Sequence, residues 1–173
     1  MIWETRVRYV TPPYFWFAIW NAGNIWDQGA EMDLIESFGY DNTPKGGGKN
    51  FAGAFWHSNT VGGSDRLPYD DWEKDMKACG ITDFKADEYH TWTVAYDKNN
   101  SYAIYVDGTK VQDGKAPYWW TVHTKKGGTP INMSFIFDGT WGSTTVKSVD
   151  HSLPASALKD CYYEWQYSRV YLR

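Results

Sequence analysis

Glu31-Met-Asp-Leu-Ile-Glu36 places three carboxyls in six residues, with Met32, Leu34 and Ile35 between them. Apolar and acidic residues alternate at the start of this stretch, as they do in a strand with one buried face. Residues i and i+2 of a strand share a face, so Glu31 and Asp33 point together. Glu36 falls out of phase. One β-bulge between Asp33 and Glu36 restores it, because a bulge adds an unpaired residue and re-aims the side chains beyond it. All three acids then line one face, with Met32 and one of Leu34 or Ile35 in the core.

The rest of the chain repeats this kind of signal. Short alternating runs separated by Gly, Pro, Asn and Asp predict an all-β sandwich. Strands are expected near 2–10, 14–20, 31–38, 51–57, 91–97, 102–106, 109–112, 130–137 and 162–172. The clearest hairpin joins Tyr102–Val106 to Thr109–Val111 through Asp107-Gly108, a pair suited to the positive φ angles of a type I′ turn. Two stretches, Tyr69–Ala78 and Pro154–Asp160, are the candidates for helix. Pro44–Lys49 is glycine-rich but lacks the Ser or Thr of a phosphate loop, so it reads as a surface loop. Asn99-Asn-Ser101 and Asn132-Met-Ser134 are glycosylation sequons, the first in a turn and the second in an expected buried strand.

The 173 residues suit one domain, 1–173. Eleven Trp and thirteen Tyr exceed what a core of this size uses. Some should form flat apolar faces with polar edges, which suit pyranose rings or nucleobases. The net charge of −4 disfavours a phosphate backbone, so nucleic acid is not an expected partner. No apolar run is long enough for a membrane helix, and no signal peptide is visible after Met1. Cys79 and Cys161 fit either one disulfide or two free thiols. Neither has metal-ligand spacing, and no metal or cofactor is expected.

Crowding like charges on one strand face costs stability. The bland explanation is a solvated face paired with Lys or Arg, yet no Lys or Arg lies between Arg8 and Lys45. The chemical explanation is retaining glycoside cleavage. That reaction needs a nucleophilic carboxylate and a protonated carboxyl about 5–5.5 Å apart. A third acid between them can share a proton, orient the nucleophile and separate the two titrations.

The segment resembles the bulged Glu-x-Asp-x-x-Glu signature of the family-16 glycoside hydrolases, the β-glucanases, laminarinases, agarases and carrageenases. Further landmarks come in family order. Trp3–Val7 resembles the strand opening the conserved part of that family. Phe15–Trp20 resembles its aromatic strand, and Trp26–Gly29 the turn leading to the acids. Tyr89–Tyr96 with Tyr105–Gly108 resembles its "FHTYAIEW … WYVDG" pair. Ile136–Gly142 resembles "AVGGNWPG", and Arg169–Tyr171 its closing strand. The resemblance implies a β-jelly roll of two curved antiparallel sheets with a substrate cleft on the concave face. It makes Glu31 the nucleophile, Asp33 its helper and Glu36 the acid/base. Trp16, Trp20, Trp26, Trp141 and His57 become candidate substrate contacts, with core packing as the alternative for each Trp. Trp26 and Trp141 are favoured because they read as loop residues. A slip of one position would exchange His57 for Trp56. His90 and His123 carry no such expectation.

Three departures qualify the resemblance. The family's leading strands, before the segment that starts here at Trp3, are absent from the sequence. That predicts an excised part or a reduced fold, with Trp3 partly uncovered or covered by a neighbour, and gains in melting temperature and activity on upstream extension. Ser134 stands where the family has Asn. Gln166 stands where it often has a calcium-binding Asp, so calcium is not expected. The implied activity is endo-acting, retaining hydrolysis of a β-linked polysaccharide, β-glucan before galactan, outside the cell or in the periplasm. Alternatives are a non-catalytic carbohydrate-binding jelly-roll module, which would not need both Glu residues, and a transglycosylase, which shares the covalent intermediate. A polysaccharide lyase would want Tyr or His bases and cations, and fits the acid strand poorly.

Overall fold

The structure is a computed structural model, which describes residues 1–11, 15–23, 31–38, 50–58, 63–65, 78–99, 101–115, 133–141 and 161–172. The strands are β1 (Ile2–Val10), β2 (Phe15–Gly23), β3 (Glu31–Phe38), β4 (Asn50–Ser58), β5 (Gly63–Asp65), β6 (His90–Tyr96), β7 (Ser101–Val106), β8 (Thr109–Lys115), β9 (Met133–Trp141) and β10 (Tyr162–Tyr171). They form two five-stranded sheets, sheet A in the order β10-β1-β6-β7-β8 and sheet B in the order β5-β4-β3-β2-β9. Neighbouring strands in both sheets run antiparallel.

Alternation is what closes the sandwich. In β1 every second residue is buried, so Trp3, Thr5, Val7 and Tyr9 face inward while Glu4, Arg6 and Arg8 face outward. Trp92 and Val94 of β6 and Tyr102, Ile104 and Val106 of β7 extend the same inner face. From sheet B come Phe17, Ile19, Met32, Leu34 and Ile35. Aromatic rings bridge the two layers: Trp3 meets Phe135 at 4.5 Å and Tyr9 meets Phe17 at 4.8 Å between centroids. Burial of interleaved apolar side chains between facing sheets is the main stabilising term of such a fold.

The β7–β8 hairpin forms as expected. Asp107 has φ 49° and Gly108 φ 81°, the two positive values that the turn requires. The Asp107 carboxylate accepts the Thr91 N–H at 2.8 Å and meets His90 Nδ1 at 2.6 Å, while His90 Nε2 lies 2.9 Å from the Lys85 carbonyl. His90 therefore anchors a turn of sheet A. Strand β8 runs to Lys115, beyond the expected 112, and the three-residue β5 was not expected. Cys79 and Cys161 are free thiols. Ser134, expected in a buried strand, is exposed. The expected helix at 154–160 lies outside the described residues, as do 69–77 of the other, the loop 44–49, Trp26 and His123.

Trp3 corrects an expectation. It is 0% exposed, and its indole N–H donates to Ser168 Oγ at 2.9 Å. Strand β1 is flanked on both sides, by β10 and β6, so Trp3 is covered from within the chain. Among the described residues, the exposed aromatics, Trp165 and Tyr171, lie one strand further out. Trp165 of β10 is 53% exposed, stacked on Tyr163 at 5.7 Å and near Phe137 at 5.6 Å. β10 is the edge of sheet A, and Glu164 and Arg169 supply charge along it, as edge strands often require. Trp3→Ala should cost about 3–5 kcal/mol of stability, as removal of a buried Trp typically does. Urea unfolding checks this, and a loss under about 1 kcal/mol would mean that Trp3 is not the core residue it is here.

Candidate active site

The acid strand is built by its bulge. Against β2, Ile19 pairs with Ile35 and the next residue, Trp20, pairs with Asp33, so Leu34 has no opposite number. Against β4, Asp33 pairs with Phe55 and Ile35 with Ala52, so Leu34 faces both Gly53 and Ala54. The extra residue therefore lies where parity demanded it, between Asp33 and Glu36. One detail differs from expectation: Leu34 and Ile35 are both in the core, together with Met32. A bulge turns two consecutive residues to the same side, and here that side is inward.

Register assembles the opposite face. Glu31 pairs with Ala22, Asp33 with Trp20 and Glu36 with Ala18. Directly paired residues project to the same side of a sheet. Glu31, Asp33 and Glu36 thus share one face of sheet B with Ala18, Trp20 and Ala22, turned away from the core. Asp33 and Glu36 are each 4% exposed, while Glu31 is half-buried. Burial of this degree strips water from a carboxyl and strengthens every charge interaction that it makes.

The expected substrate contacts divide. Trp16 and Trp20 are partly buried and lie on the acid-face positions of β2. His57 occupies the β4 position paired with Glu31, whereas Trp56 pairs with the core residue Met32. The register thus keeps position 57, not 56, level with the nucleophile candidate. Trp141 is not a loop residue: it ends β9, paired with Phe15, because the β2–β9 ladder continues to the start of β2. Gln166 accepts the Arg6 Nε–H at 2.9 Å on sheet A. Among the described residues there is no group of three or more His, Cys, Asp or Glu able to hold a metal. No helix among them is long and apolar enough to cross a membrane.

One acid on this face was not singled out from the sequence. Asp138 of β9 pairs with Ala18, which on its other side pairs with Glu36. The Trp20 indole N–H donates to Asp138 Oδ1 at 3.2 Å. Burial pushes the Asp138 carboxyl above the usual aspartate range, and the indole hydrogen bond opposes that shift. A carboxyl raised by folding stabilises the fold at acid pH and loses that contribution as pH rises through its folded titration. Strand parity was the available signal: Phe135 and Phe137 pack on the core, leaving Ile136 and Asp138 on the other side.

No protein-family model matches the chain, and no curated protein does. Solved structures do match its backbone. A glycoside hydrolase family protein from Mycobacterium thermorestibile superposes over 98% of this chain and 62% of its own, at 18% identity and TM-score 0.62. A non-specific endo-β-1,3(4)-glucanase from family GH16 matches 97% of this chain and 56% of its own, at 17% identity and TM-score 0.56. The laminarinase catalytic domain from Thermotoga maritima matches 95% and 59%, at 17% identity and TM-score 0.53. The fold is the jelly-roll sandwich of these glycoside hydrolases. The chain spans less than two thirds of the length of each of them. At these identities the likeness concerns the fold, and fold alone does not carry an activity.

Proposed function

We propose that residues 1–173 belong to the catalytic domain of a retaining endo-glycosidase that cleaves a β-linked polysaccharide, β-glucan before galactan. The observation that carries this reading is the bulged β3, which brings Glu31, Asp33 and Glu36 to one face of sheet B beside Trp20. Glu31 attacks the anomeric carbon and forms a glycosyl ester. Glu36 protonates the departing glycosidic oxygen, then takes a proton from the water that hydrolyses the ester. Asp33, between them, orients Glu31 and shares a proton within the row. Trp16 and Trp20, with Trp26 and His57 as further candidates, hold the sugar rings; position 141 falls in phase with the core positions of β9 rather than with Asp138. The laminarinase and endo-β-1,3(4)-glucanase among the solved relatives support β-glucan as the first polymer to test. Such a polymer does not cross membranes, which favours work outside the cytoplasm.

The test is a panel of β-1,3-glucan, mixed-linkage glucan and galactan, with proton NMR of the first reducing ends released. Glucan cleavage with β-anomers appearing first is expected, because two displacements restore configuration. α-Anomers appearing first would overturn the retaining step. Binding without cleavage of any polymer would favour the carbohydrate-binding module. Longer products appearing at high oligosaccharide concentration would identify transglycosylation.

A further inference from the structure

The strands of one sheet mix cations with acids, whereas those of the other carry acids alone. The strands of sheet A contain Arg6, Arg8, Lys110, Lys115 and Arg169 together with the acids Glu4, Asp113 and Glu164. The strands of sheet B contain Glu31, Asp33, Glu36, Asp65 and Asp138, and no Lys or Arg. With 17 Lys and Arg in the chain, their exclusion from all five strands of one sheet is not a shortage of cations.

Asp138 gives this division a position. Glu36, Ala18 and Asp138 form one row across β3, β2 and β9. Two strand spacings separate the ends of the row, about 10 Å between backbones. The residue between them is an alanine, so the row is low at its centre. Trp20 pairs with Asp33 and donates its indole N–H to Asp138, tying the acid strand to the far carboxyl.

We infer that Asp138 is a specificity-determining residue that makes the acid face accept uncharged glycans and reject sulfated or uronate-bearing ones. This rests on the acid face being the glycan-binding face, as the proposed function has it. An ionised carboxylate is an acceptor only, so it takes hydroxyl donors of a neutral sugar. A sulfate ester or a uronate brings acceptors and a second negative charge to the same place. Among the described residues, the strands of this sheet bring no Lys or Arg to offset it. Like charges brought together at a partly desolvated surface are among the stronger sources of discrimination between ligands.

The experiment measures displacement of a fluorescent neutral oligosaccharide, β-1,3-gluco- and β-galacto- in parallel, from the wild type and from Asp138→Asn. The competitors are the matching neutral polymer and its sulfated derivative, each at about 20 and 300 mM salt. Displacement reports this face and ignores polyanion bound at the arginines of sheet A. In the wild type at low salt the sulfated polymer should be weaker than the neutral one by on the order of tenfold. The gap should narrow at high salt, where charges are screened. It should narrow several-fold in Asp138→Asn at low salt, with neutral-polymer affinity changed less. A sulfated polymer that competes as well as the neutral one in the wild type would overturn the inference. So would a gap that Asp138→Asn leaves unchanged, or failure of both neutral probes to bind. Hydrolysis is assayed separately: selective neutral binding without cleavage would end the hydrolase reading and leave this inference standing.

Discussion

Replacing Glu31 by Gln is expected to abolish hydrolysis while leaving the fold and oligosaccharide binding near wild type. The amide is nearly isosteric with the carboxylate, and Glu31 is only half-buried at the start of β3, so packing changes little. The chemistry changes entirely. An amide cannot form the glycosyl ester, and it brings no negative charge to the oxocarbenium-like transition state. Circular dichroism, melting temperature and displacement of a bound oligosaccharide establish that the variant is folded and occupied. A variant retaining more than about a tenth of the wild-type kcat would reassign the nucleophile, since even auxiliary proton transfer is worth ~10²–10⁴-fold. Chemical rescue sharpens the assignment. In Glu31→Ala, azide entering the vacated side should yield an α-glycosyl azide from a β-linked substrate, because a single displacement inverts configuration.

The part of this site that was legible in the sequence is the part set by local parity. A strand has a period of two, so the spacing Glu31, Asp33, Glu36 could share a face only with a bulge, and the bulge is there at Leu34. Which of Leu34 and Ile35 enters the core depends on how β2 and β4 pair around that point, and their registers turn both inward. Asp138 was within reach of the same reasoning, out of phase with the core positions Phe135 and Phe137 that precede it, but a single acid in an aromatic strand carries no motif. Its meaning comes from β2 placing Ala18 between it and Glu36. That is a matter of strand order, which spacing along the chain does not encode. The same limit explains Trp3. Whether a strand is central or at an edge depends on partners distant in sequence: β1 pairs with β10 about 165 residues away, and the exposed aromatics among the described residues are Trp165 and Tyr171 of β10. Trp141 shows the boundary problem: the strand was expected to end at 137, which left Trp141 in a loop, whereas the ladder to β2 continues to it.

Glu36→Gln is expected to lower kcat/KM on polysaccharide by ~10²–10⁴-fold, the usual worth of positioned proton transfer. Glu36 is the site residue beyond the bulge, 4% exposed and level with Ala18. In the proposed reaction its task is to protonate a poor leaving group as it departs. The size of the loss should therefore depend on the leaving group. A sugar alkoxide must be protonated as it departs, so the polymer suffers most. A dinitrophenolate departs without help, so an aryl glycoside should lose far less in the step that forms the ester. Ester hydrolysis then becomes the slow step, because the same carboxyl no longer activates water, and a burst of phenolate should precede the steady state. Azide attacking that intermediate in Glu36→Ala should give a β-glycosyl azide, opposite in configuration to the Glu31→Ala product. The alkaline limb of the kcat/KM profile, which reports loss of the acid's proton, should vanish as well. Equal losses on polymer and aryl glycoside, with the alkaline limb intact, would remove Glu36 from the role of acid/base and leave it a positioning residue for Glu31.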